Sequence, residues 1–117
     1  MNKRKIGTAW EEAAAEFLTK NGYVILEKNF RCKEGEIDLV AKDGEYLVFV
    51  EVRSRRTAGS GHPLESVNIA KQRKICRVSR YYMLKRRISP DIAIRYDVIS
   101  VLGSEMELVK NAFAYQA

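Results

Sequence analysis

The run from Tyr46 to Arg53, Tyr-Leu-Val-Phe-Val-Glu-Val-Arg, limits what this chain can fold into more than any other segment. Its β-branched and aromatic side chains read as a strand. A strand with one wet face alternates apolar and polar residues, whereas Leu47-Val48-Phe49-Val50 is apolar on both faces and needs a cover on each side. Residues 36–41 (Glu-Ile-Asp-Leu-Val-Ala) read as the strand before it. Asp43-Gly44 between them is a hairpin signal, because a type I′ turn needs φ > 0 at both central residues. With Asp43 and Gly44 as the loop, Lys42 pairs with Glu45, Val40 with Leu47, Asp38 with Phe49 and Glu36 with Glu51.

Directly opposed residues share a face, and side chains alternate along a strand. Asp38, Glu51 and Arg53 therefore project from one face, with Asp38 and Glu51 diagonal neighbours roughly 7–8 Å apart. One divalent cation fits between carboxylates at that separation. Two acids at the end of an apolar hairpin repel each other unless a metal or a basic group compensates them. The competing reading makes Glu36, Asp38, Glu51 and Arg53 the solvated face of a half-exposed hairpin, with Arg53 pairing a carboxylate. The apolar run on both faces weighs against it, since acids on a covered strand are costly.

Along the chain the elements read α-β-β-β-α-β, a mixed β-sheet flanked by helices in a single α/β domain over residues 1–117. Residues 8–21 form a helix with Thr8 as N-cap and Glu11 three positions on, a capping box. Trp10, Ala13, Ala14, Phe17 and Leu18 supply its apolar stripe, and Gly22 stops it. Residues 23–30 make a first strand and the hairpin supplies two more. Residues 54–66, rich in Ser, Gly and Arg, read as a mobile loop. A second helix runs from about Asn68 to Arg87, on which Lys71, Ile75, Val78 and Tyr82 form a stripe facing the sheet. Lys71 either snorkels to the helix end or points at the carboxylates. Residues 94–102 alternate as a fourth strand, and the tail from Gly103 adds a short strand or drapes over the surface.

At 117 residues there is room for one core. No apolar run approaches the ~18 residues of a membrane span. The basic start Met-Asn-Lys-Arg-Lys has no apolar stretch behind it, which argues against a signal peptide. Cys32 and Cys76 are isolated and read as free thiols of a cytoplasmic protein. The single histidine, His62, excludes a His-based metal cage. Net charge is +6, and its distribution is uneven: Arg53 to Arg87 holds eleven Lys/Arg against one acid, Glu65. Such confinement points to a polyanion, and nucleic acid outweighs a merely solvated basic helix.

The spacing Asp38-x12-Glu51-x-Arg53 resembles the PD-(D/E)xK nuclease signature, with arginine in the lysine position. The wording GEIDLVA…LVFVEVRSR is similar to the YraN-like family of small endonuclease-like bacterial proteins, distantly related to archaeal Holliday-junction resolvases. The likeness covers nearly the whole chain: Gly7, Glu11, Gly22-Tyr23, Asn29, Arg31, Gly35 to Leu39, Val48 to Arg55, Lys71, and Arg95 with Asp97. It implies a restriction-endonuclease-like fold and a Mg²⁺ (or Mn²⁺) ion on Asp38, Glu51 and the main-chain carbonyl of Val52. It also implies a helical glutamate, Glu11, turned into the site, with Arg53 or Lys71 at the phosphate. Arg31, Arg55, Arg56, Arg73, Lys74 and Arg77 are the expected nucleic-acid contacts. The expected partner is DNA, structured or branched, with no membrane and with a homodimer left open. Arginine cannot take a proton from water. The alternative is therefore a nucleic-acid-binding module of the same fold with little or no turnover.

Overall fold

The computed structural model describes the backbone of residues 3–54 and 67–117, and the side chains of the first helix from Ala9 onward. The elements are α1 (Lys3–Lys20), β1 (Val24–Cys32), β2 (Gly35–Asp43), β3 (Tyr46–Ser54), α2 (Ile69–Lys85), β4 (Ile94–Leu102) and β5 (Glu105–Phe113). They build one five-stranded sheet in the order β1-β2-β3-β4-β5. All neighbours are antiparallel except β3 and β4, which run parallel with α2 lying between them in the chain.

The central strand is covered on both sides, as its composition demands. Val48 and Val50 pack with Leu39, Ala41, Ile99 and Val101 against Ala14, Ala15 and Leu18 of α1. Leu47 and Phe49 pack with Val40, Tyr96 and Val98 against Ile75, Val78 and Tyr82 of α2. The result is a mixed α/β sheet with one helix on each face. The tail is a full strand, joined to β4 through a turn with Gly103 at φ 61.

Three local expectations are corrected. Helix α1 begins at Lys3, so Thr8 lies inside it rather than at its N-cap. The apolar stripe also rotates: Ala14, Ala15 and Leu18 are buried, whereas Ala13 is exposed and Trp10 is 40% exposed. The hairpin register differs as well. Asp43 pairs with Tyr46 and Val40 with Phe49, so Gly44-Glu45 is the two-residue loop. Gly44 has φ 60, and Asp43 is not among the residues with positive φ. Glycine at the first central position is the type II′ pattern.

Asp43 is occupied elsewhere, which helps to fix this register. Its Oδ2 accepts from Arg95 at 2.8 Å. Arg95 also donates to Asp97, which is 1% exposed and accepts from the Tyr23 hydroxyl at 2.7 Å and the Asn111 N–H at 2.9 Å. This network ties β2, β4 and β5 together and places Arg95 and Asp97 in a structural role.

Candidate functional site

The site forms where the ladder between β2 and β3 ends. Pairing runs from Asp43↔Tyr46 to Leu39↔Val50. The same register carried one residue further would set Asp38 directly opposite Glu51. On the other side of β2, pairing continues in register from Glu27↔Val40 to Cys32↔Gly35 but skips the Asn29/Asp38 step. Asn29 has φ 55, a left-handed geometry that asparagine tolerates. Alternation breaks at the same place. Leu39 faces α1, yet Ile37 joins the cluster under α2. The strand is thus wrung at Asp38, and its carboxylate fills the opening: the Val52 N–H donates to Asp38 Oδ2 at 2.8 Å.

Glu51 sits beside it on β3, 6% exposed. Two cations approach the same oxygen, Oε1: Lys71 Nζ at 3.7 Å and the Arg53 guanidinium at 3.8 Å. Lys71 reaches there because Asn68 caps α2, accepting from the Lys71 N–H at 2.9 Å, and this fixes the first turn over the sheet. Of the two orientations open to Lys71, the chain adopts the one aimed at the carboxylates.

Glu11 projects from α1 toward the same opening. Glu11, Glu36 and Asp38 each offer an oxygen, and these atoms all lie within 4.8 Å of one another. Glu11 Oε2 is buried with no hydrogen-bond partner. Burial, then the Asp38 charge, pushes the Glu51 carboxyl up to about 8, against the pull of Lys71 and Arg53. Burial also raises Asp38, while the Val52 N–H pulls it down. Glu11 is raised by burial and then by Asp38. Crowded acids that resist ionising together form a site short of positive charge. Hard, oxygen-loving cations meet that need, so the residues fit a divalent ion.

A cleft of about 580 Å³ opens onto these groups, lined by Glu36, Asp38 and Glu51 together with Arg31, Lys71 and Lys74. The remaining sequence candidates divide. Arg31 lines the cleft but is paired with Glu36 at 2.8 Å. Arg77 is paired with Glu34 at 3.2 Å. Arg73 is exposed. Arg55, Arg56 and His62 lie outside the described residues. Val52 is half-buried, and its N–H is already committed to Asp38. Cys32 and Cys76 are free.

Two participants escape sequence reasoning. Glu36 joins the acid cluster as a candidate ligand, although regular alternation gives it no reason to share a site with Glu11. Asn29 hydrogen-bonds Glu11 and opposes the upward push on that acid. The available signals are the family likeness, which includes Asn29 and the stretch Gly35 to Leu39, and the asparagine itself, a residue that commonly marks left-handed backbone.

The fold and site define a class: a small mixed α/β protein with a half-buried and a buried carboxylate, Asp38 and Glu51, in a cleft that mixes acids and bases. Residues 10–101 match the model described as "Uncharacterised protein family UPF0102", and the chain belongs to that family. A UPF0102 protein of Lachnoclostridium phytofermentans is 45% identical over 113 residues, covering 97% of this chain and 96% of the relative. One from Caldicellulosiruptor saccharolyticus is 44% identical over 119 residues, covering 97% and 100%. One from Persephonella marina is 44% identical over 107 residues, covering 92% and 91%. Among the described residues no helix is long and apolar enough to cross a membrane.

Proposed function

We propose that this protein is a divalent-metal-dependent nuclease that hydrolyses phosphodiester bonds in DNA, with structured or branched DNA as the leading substrate. The observation that carries the reading is the convergence of Asp38 and Glu51 with Lys71 and Arg53. Acids able to hold a cation and cations able to hold a phosphate meet within 4 Å at one oxygen of Glu51.

Asp38, Glu51 and the Val52 carbonyl would hold Mg²⁺ or Mn²⁺, with Glu11 and Glu36 as further oxygen donors from the neighbouring elements. When bound, the ion lowers the pKa of a water and withdraws charge from the phosphate. The chain's own groups do the rest. Arg53, always protonated, binds phosphate oxygens bidentately and stabilises negative charge. Lys71 supplies the amine that this nuclease class carries beside its second acid, here delivered from α2. It orients water and contacts the scissile phosphate. Glu51, protonated in the metal-free state, gives up its proton as positive charge arrives. The 580 Å³ cleft seats the backbone, and the basic residues of α2 hold the flanking phosphates.

The test is a cleavage screen in Mg²⁺ and Mn²⁺ over duplex, flap, four-way junction and single-stranded DNA, with matched RNA. Asp38→Asn runs beside it as control. Cutting that needs metal and disappears in Asp38→Asn supports the reading. Salt-sensitive binding with no cutting in either metal replaces it with a binding module.

A further inference from the structure

The cations around the cleft are not equivalent. Lys71 and Arg53 are committed to Glu51, Arg31 to Glu36, and Arg77 to Glu34. Lys74 lines the same cleft one helical turn beyond Lys71 and has no ion-pair or hydrogen-bond partner among the described residues. Its stem lies across the tight turn between β1 and β2. A Cβ on Gly35 would stand 2.8 Å from Lys74 Cε and 3.5 Å from Cδ and Cγ. A side chain there would make the end of the Lys74 stem shift, and Gly35 at φ 147 has a backbone that favours glycine in any case. The unpaired ammonium is therefore directed into the cleft by packing rather than by an acid.

Three residues of helix advance about 4.5 Å along the axis. Successive phosphates of one duplex strand advance about 3.4 Å. Both advances lie within the reach of one lysine side chain, so a cation one turn from the reaction centre can meet a neighbouring phosphate of the strand. We propose that Lys74 anchors the phosphate adjacent to the one being cut, and that Gly35 is a positioning residue for it. This rests on the nuclease reading of the site. It adds a direction, since the bound strand leaves the carboxylates along α2 past Lys74. It also adds a requirement, since the substrate needs an intact phosphate on that side.

The test compares wild type, Lys74→Ala, Lys74→Arg and Arg77→Ala. Binding to a 20-base-pair DNA duplex is followed by anisotropy in EDTA from 50 to 300 mM salt. Loss of one unpaired phosphate contact lowers the log–log salt slope by about 0.9 and weakens binding about 8-fold at 0.1 M salt. Lys74→Ala is expected to show both, Lys74→Arg neither, and Arg77→Ala a smaller change, because that cation already has Glu34. In metal-supported cleavage Lys74→Ala should raise KM several-fold and leave kcat within about twofold, as loss of uniform binding does. An unchanged salt slope in Lys74→Ala overturns the assignment, as does a loss confined to kcat. Wild type that binds but never cuts refutes the nuclease reading alone, and Lys74 is then judged on the salt slope. Wild type that does not bind removes both.

Discussion

Replacing Glu51 with glutamine is expected to stabilise the metal-free protein above pH 6, although it weakens the contacts that Lys71 and Arg53 make with Oε1. Glu51 moves from 4.5 to about 8 on folding, mainly through burial. Between those values the folded state holds a proton that the unfolded state has released. Stability from this group is full below pH 4.5 and is lost as pH rises toward 8. Each pH unit inside the window costs about 1.4 kcal/mol, which is about 3 kcal/mol at pH 7. Coupling to Asp38 and water entering the open cleft reduce this. The weakened contacts to Lys71 and Arg53, whose side chains are 36–37% exposed, are worth at most about 1 kcal/mol. A net gain of about 1–2 kcal/mol at pH 7 remains, or about 4–10 °C in Tm for a chain of this size, with no gain at pH 4.5. Urea unfolding in a chelating buffer at half-unit steps from pH 4.5 to 8 measures it. Wild-type stability should fall across the range while Glu51→Gln stays flatter. Parallel profiles for the two proteins would refute the claim that Glu51 folds as a proton-holding acid.

Further outcomes follow from the same geometry. Calorimetric titration with Mn²⁺ should reveal a site that Glu51→Gln weakens severely and Glu11→Gln weakens partly; equal binding in all three proteins would remove the ligand assignment. In metal-supported cleavage Arg53→Lys should keep most activity, whereas Arg53→Ala and Lys71→Ala should each lose about 10²–10³-fold, the scale for one transition-state charge partner. Asp97→Asn should destabilise by about 3–5 kcal/mol in chemical denaturation, because it leaves Arg95 without its buried partner. Gly35→Ala should displace Lys74 and flatten the salt dependence of DNA binding as Lys74→Ala does; a salt slope equal to wild type would show that the turn does not position the lysine.

How far the sequence could be read depended on which quantity was asked of it. Covering of β3 followed from Leu47-Val48-Phe49-Val50 alone, and the bounds of β4 from strict alternation. The hairpin register did not, because Asp-Gly suits a type I′ turn while Gly44-Glu45 makes a type II′ turn as readily. The tertiary partner Arg95, on a strand distant in sequence, holds Asp43 out of the loop. Asp38 and Glu51 still came out on one face, because the slip spans two residues and period-2 parity survives it. Their separation did not, changing from diagonal to opposed. The wrung backbone at Asn29 and Asp38 lay beyond any pattern rule, and Glu36 was missed with it. Lys71 was legible as an anomaly, a charge on a stripe that should be apolar. Lys74 was legible only as one basic residue among many, since its distinction is the absence of a partner in space.

Asp38 is pinned by one oxygen to a main-chain N–H that no neighbouring strand claims. Glu51 sits beside it, and burial raises both carboxyls. On the proposed metal reading, a cation bound there would displace a proton from Glu51, whose carboxyl burial pushes up to about 8, and would leave the pin in place. Loading would then be an exchange with the solvent's acidity, and its heat should depend on the ionisation enthalpy of the buffer that accepts the proton.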